Sequence, residues 1–213
     1  MSGRSSTGAV SHRPAAVGLA VHTGWAQAVA VASRQSTLVV LHSQRIALWN
    51  PPDPAAAQAY HRAAELPLET AERAIAEDEK DGRRVAAQSL RRITGELGRQ
   101  GYRLVAVRVV DRVRRPLPTL AKVLASHPLL HAAEGALFRR IALSEAGRLV
   151  DDVAEVDGAD LLERAGKAAG LSSPRVSAHL ARAGKISGTS WTKEHRNCAL
   201  AAWAALLPHE AGS

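Results

Sequence analysis

Apolar positions along the chain follow two rhythms. Ala16, Val17, Leu19, Ala20 and Val21 form a short apolar run around Gly18 that stops at His22-Thr23-Gly24, which predicts a buried strand ending in a turn. Residues 25–33 (Ala26, Val29, Val31) and 37–48 (Leu38, Val39, Val40, Leu41, Ile46) are also β-like, with Arg34-Gln35-Ser36 short enough to be the hairpin loop between them. Asn50-Pro51-Pro52-Asp53-Pro54 excludes regular structure, and a loop is predicted as far as Pro67. The period then lengthens. Over residues 69–99, Ala86, Leu90, Ile93 and Leu97 recur at the spacing of one helix face, between an acidic start and a basic finish, with Gly101 as the stop and Gly82 as an expected break. Residues 104–110 are the next strand and run directly into Asp111. Pro116 and Pro118 open a helical stretch that passes Ser126-His127-Pro128 and resumes over 129–145. A last strand is expected over 149–156, reduced to an edge or a loop by Asp151-Asp152, followed by helices over 160–169 and 173–184. Thr192 caps a final helix with Leu200, Trp203, Leu206 and Leu207 on one side.

With 213 residues the chain suits one domain, predicted over 16–207, between a disordered basic tail (1–15) and a frayed end (208–213). Aromatic residues make up 3% of the sequence, so the core must be aliphatic, which argues against single-stranded nucleic acid read on rows of stacked rings. The single Cys198 cannot form an internal disulfide and no Cys/His cluster has zinc-finger spacing, which fits a cytoplasmic protein; Cys198 reads as a small buried helix residue. No apolar run approaches the roughly 20 residues of a membrane span, and the first residues do not resemble a secretory signal. The formal charge of +8 changes this picture most, because such a field attracts phosphates and makes nucleic acid the expected partner. A merely solvated basic surface is the ordinary alternative.

Four places could carry chemistry. His22 ends a strand, where α/β proteins often place function, as a ligand, a base or a phosphate donor; a structural turn histidine is the bland reading. Asp111 also ends a strand, and Arg112, Arg114 and Arg115 after it could grip a phosphate backbone or form local ion pairs. In the segment 127–135, His131 and Glu134 share a helical face, and such a pair can bind a transition metal or serve as a cap or buried hydrogen-bonding group. Glu194 and His195 lie in the first turn of the last helix, where Glu194 is already explained by the helix dipole, and Lys193 and Arg196 add positive charge.

The order of elements resembles the ribonuclease H-like superfamily, an α/β fold with a mixed sheet of three N-terminal strands followed by alternating helices and strands. Three segments carry the resemblance, which is closest to the Holliday-junction resolvase branch. GLAVHTGWAQAVAVA (residues 18–32) is similar to that family's opening strand and hairpin, and His22 stands where a catalytic Asp is expected. The strand 104–110 matches one that ends in an acidic metal ligand, for which Asp111 is the candidate. EHRNCALAAW (194–203) is similar to the family's closing helix, whose carboxylates would fall near His195 and Cys198 or at Glu194 and Asn197.

With the resemblance, the candidates for catalysis are His22, Asp111, Glu134 and Glu194, a divalent metal (Mn²⁺, Mg²⁺ or Zn²⁺) would be held by His22, Asp111 and His195, and the positive charge of Arg112, Arg114, Arg115, Lys193 and Arg196 would bind nucleic acid. Two-metal phosphodiester cleavage needs several carboxylates around a pair of Mg²⁺ ions, whereas histidine suits Mn²⁺ or Zn²⁺ better. Two readings therefore stay open. One is a divergent metal-dependent nuclease acting on structured DNA or RNA; the other is a binding or scaffold module that kept the fold and lost the acids. A homodimer is compatible with both.

Overall fold

The computed structural model describes residues 12–35, 37–50, 58–111, 116–186 and 191–210. Five strands form one mixed sheet: β1 (Arg13–His22), β2 (Trp25–Arg34), β3 (Thr37–Ala47), β4 (Tyr102–Asp111) and β5 (Asp152–Asp157). Their order is β3-β2-β1-β4-β5. The first three are antiparallel neighbours, while β4 runs parallel to β1 and β5 parallel to β4. The fourth strand therefore lies beside the first, as a ribonuclease H-like sheet requires. β1 starts at Arg13, so part of the expected tail belongs to the sheet, and Ala15 is fully buried in it.

The hairpin works because Gly24 adopts a φ of 78° in the Thr23-Gly24 turn, where a side chain would be strained. The Gly24 carbonyl then accepts hydrogen bonds from the amides of Leu48 and Trp49, tying the end of β3 back to the turn.

Pleat alternation divides the core in two. Val17, Leu19, Ala28, Ala30, Val107 and Val109 face one layer, made of α1 (Ala59–Ala63), α2 (Leu68–Arg99), α3 (Leu120–Leu124) and α4 (His127–Ala146). Ala16, Ala20, Val29, Val31 and Ala106 face the other, made of α5 (Leu161–Ala169), α6 (Ser173–Ile186) and α7 (Lys193–Glu210). As predicted, Ala86, Leu90, Ile93 and Leu97 are the buried stripe of α2.

Three details differ from the expectations. α2 is unbroken, because Gly82 serves close packing: a Cβ there would come within 2.7 Å of the Ile141 side chain on α4. A short helix, α1, lies inside the predicted loop, its Ala59, Tyr60 and Ala63 buried against the core. α7 continues through Pro208 to Glu210 rather than fraying there. Helix α7 lies directly on the sheet: a Cβ at Gly18 would fall 2.0 Å from the carbonyl oxygen of Cys198, so only glycine permits this approach.

Candidate functional site

The carboxyl ends of β1, β4 and β5 and the amino-terminal half of α7 enclose a cleft of about 870 Å³, lined by residues that include His22, Asp111, Asp157, Lys193, Glu194 and Asn197. Its position follows from the parallel pairing, which carries these three strands to the same side of the sheet. In its floor, Ala20 of β1 lies in register with Val110 of β4.

His22 and Glu194 are brought together, with Nε2 and Oε1 3.0 Å apart. The imidazole is also stacked on Trp25 at 4.0 Å between ring centroids, and the guanidinium of Arg45 covers the same indole at 3.5 Å. Trp25 is therefore engaged by its neighbours, in keeping with hairpin packing rather than a stacking platform.

Asp111 forms part of the cleft wall, yet alternation along β4 places it with Val107 and Val109 on the side of α4. There the Arg139 Nε lies 2.8 Å from its Oδ2, and the same guanidinium lies 3.4 Å from Glu155. Both partners of the Arg139–Asp111 pair are largely buried, at 12% and 14% exposure. Register pairs Asp111 with Asp157, whose Oδ1 accepts a hydrogen bond from the Ala159 amide. Asp157 belongs to the site and escaped the sequence reading because Asp151-Asp152 made this strand look like an edge or a loop.

The remaining candidates are scattered. His195 turns to its own helix end, its Nδ1 lying 2.7 Å from the Thr192 hydroxyl, and stacks near Trp191. Arg196 donates to the Trp191 carbonyl and borders a neighbouring groove of about 710 Å³ between α5, α6 and α7, together with Lys185 and Trp191. Asn197 lines both the groove and the cleft. Glu134 lies under the opposite layer, 1% exposed, where its Oε1 accepts the backbone amides of Tyr60 and His61 at 2.7 and 3.3 Å. Burial holds the Glu134 carboxyl above its ordinary pKa, although the His61 ring and these amides pull the other way. Arg112, Arg114 and Arg115 lie outside the described residues.

The expected four-residue convergence of His22, Asp111, Glu134 and Glu194 is thus not the arrangement found, and neither is the ligand trio His22, Asp111 and His195. Among the described residues, the group whose three ligand atoms come within 4.8 Å of one another is His61, His127 and His131, away from the cleft. The cleft does not gather ligands for a pair of hard divalent cations: the carboxylates of Asp111 and Glu194 are engaged by Arg139 and His22, that of Asp157 accepts the Ala159 amide, and apolar Ala20 and Val110 line the space beside them. Cys198, the other position suggested for a family carboxylate, is fully buried with its Sγ directed to the Gln27 carbonyl, and burial drives its thiol pKa upward.

No protein-family model matches the chain, and no curated protein does either. Among solved structures, it is similar to Thermus thermophilus RuvC at 11% identity and a TM-score of 0.49, covering 93% of this chain and 96% of that one. T. thermophilus RuvC in complex with Holliday junction substrate gives 12% identity and a TM-score of 0.48, covering 94% and 97%. The yeast mitochondrial Holliday junction resolvase Ydc2 gives 9% identity and a TM-score of 0.38, covering 95% and 82%. What assigns the fold is the chain's own topology: a β3-β2-β1-β4-β5 sheet, antiparallel in its first three strands, parallel in β1, β4 and β5, and flanked by helices on both faces, is the ribonuclease H-like arrangement.

Proposed function

We propose that this protein binds structured DNA or RNA across the cleft and the adjoining groove, as a resolvase-like module that does not cleave its ligand. The reading is carried by one observation: the carboxylates that reach the cleft from β4 and α7 are each engaged by a side chain of the protein, Arg139 on Asp111 and His22 on Glu194. A metal cluster needs those oxygens, whereas phosphate recognition does not. Lys193 and Asn197 line the cleft, Lys185 and Arg196 border the groove, and the amino end of an 18-residue helix adds its partial positive charge between them. Such a surface engages a phosphate backbone without distinguishing sequence. The formal charge of +8 supports the same partner at longer range.

Branched DNA duplexes and hairpin RNA, titrated in EDTA across a salt series, test the proposal. Binding is expected to weaken steeply with salt, and K193A/R196A is expected to lower the slope of log K against log salt by about 2, one for each lost phosphate contact. Replacing Arg112, Arg114 and Arg115 by alanine is expected to weaken binding further. Salt-independent affinity would reject the interface. Cleavage of the same substrates with Mg²⁺, Mn²⁺ or Zn²⁺, abolished in both H22A and D111N, would replace the binding module with a metal-dependent nuclease.

A further inference from the structure

Away from the cleft, on the layer formed by α1 and α4, three histidines meet. His127 and His131 are one turn apart on α4, with their Nε2 atoms 3.1 Å from each other, and His61 of α1 packs against both rings at 5.4 and 4.6 Å between centroids. One nitrogen from each ring falls within a common 4.8 Å. Tetrahedral zinc with Zn–N bonds near 2.0–2.1 Å places its imidazole nitrogens about 3.3 Å apart, so the α4 pair is already at ligand spacing.

A second observation points the same way. The His61 Nδ1 lies 3.3 Å from the Oε1 of Glu134, which is itself nearly fully buried and also accepts the first amides of α1. This contact turns the other ring nitrogen, Nε2, to the remaining side of the ring, where it is buried without a hydrogen-bond partner. A carboxylate on one imidazole nitrogen and an unpartnered second nitrogen is how metal-binding histidines are oriented.

We infer that His61, His127 and His131 form a three-histidine site for a borderline divalent metal, Zn²⁺ in the first place, with Glu134 as the positioning residue for His61. An all-nitrogen donor set disfavours Mg²⁺ and Ca²⁺, which take oxygen ligands. His127 and His131 are exposed, so a fourth position is open to solvent. The consequence is mechanical. α1 has five residues, too few to hold a helix by itself, and a metal shared with α4 would clip it to the core. The site draws on none of the residues assigned to nucleic-acid binding, so it stands or falls separately.

The experiment uses the full chain without a polyhistidine tag, stripped with EDTA and titrated at pH 7.5 with ZnCl2 by calorimetry and with CoCl2 by visible absorption. One equivalent of Zn²⁺ is expected to bind, Co²⁺ is expected to develop the d–d bands of a tetrahedral nitrogen site, and MgCl2 is expected to give no heat. Zinc at a hundredfold excess over its Kd should raise Tm by roughly 5–10 °C. H127A/H131A should lose the binding, E134Q should weaken it about 10- to 100-fold, and H22A should leave it unchanged. Folding of each variant is checked by circular dichroism, and H61N serves in place of the double variant should the latter fail to fold. Absence of zinc-dependent heat and Tm shift, or full binding retained by H127A/H131A or by H61N, would overturn the assignment.

Discussion

At the scale of single residues, Gly18 and Cys198 show how little room the sheet leaves its last helix. Any side chain at residue 18 would meet the backbone of α7 rather than a movable side-chain end. G18A is therefore expected to cost about 3 kcal/mol or more, since overpacking against a main chain can be relieved only by moving the helix; a urea unfolding curve measures it. The thiol of Cys198, fully buried and raised in pKa, is expected to stay unreactive towards a thiol-specific dye until the protein unfolds. A native-state reaction at the rate of a free cysteine would show that α7 lifts from the sheet. The role of Cys198 as a small buried helix residue was legible in the sequence, because it opens the apolar stretch Ala199-Leu200-Ala201-Ala202-Trp203. The opposite facing of His22 and Asp111 was not: both end strands, and only the register and bulges of β1 and β4 decide which side each one meets.

Between elements, α2 and α4 are joined by a charged clamp as well as by their apolar stripes. Glu79 of α2 takes both Arg140 of α4 and Arg83 of its own helix, and Arg83 continues to Glu145. Hydrogen bonding from Arg140 is the main reason the Glu79 carboxyl sits below its ordinary value of 4.5. A depressed folded-state value means that the clamp contributes above pH 4.5 and fades as the pH falls from there through the lowered value. E79Q is expected to destabilise the protein by about 1 kcal/mol at pH 7 and to flatten the acid limb of a Tm-versus-pH profile. Parallel limbs in the two proteins would remove Glu79 from the acid response. The periodicity of residues 86–97 revealed which face of α2 is buried, but the partner of Gly82 lies 59 positions along the chain, at Ile141, so a close approach was read as a break. α1 stayed hidden for a related reason. Five residues beside a proline-rich stretch carry too little pattern to show a helix, and with it went the placement of His61.

At the scale of the whole molecule, the sheet separates the cleft and groove of the α5–α7 layer from the histidine trio of the α1–α4 layer. The five-stranded mixed sheet was legible because its apolar runs and turn residues are strong local signals. The site was legible only in part, since Asp157 and Arg139 enter it through pairings between distant segments. No helix among the described residues is long and apolar enough to cross a membrane. At the far end of the sheet, Asp152 holds both Arg108 and His209, joining β5 to β4 and to the last turns of α7. D152N is expected to loosen that end of α7, seen as faster amide hydrogen exchange over residues 204–210 than over 196–203; uniform exchange along α7 would count against it.

The seating of α7 on β1 and β2 also has a temporal side. These strands leave the ribosome well before the helix that covers them, which starts at Lys193. Until then, the face of the sheet that carries Ala16, Ala20, Val29 and Val31 lacks its main cover, with only α5 and α6 of that layer made. Nascent chains halted before residue 193 should therefore be sticky, dependent on holding chaperones and prone to pair through that face, and completion of α7 should release them.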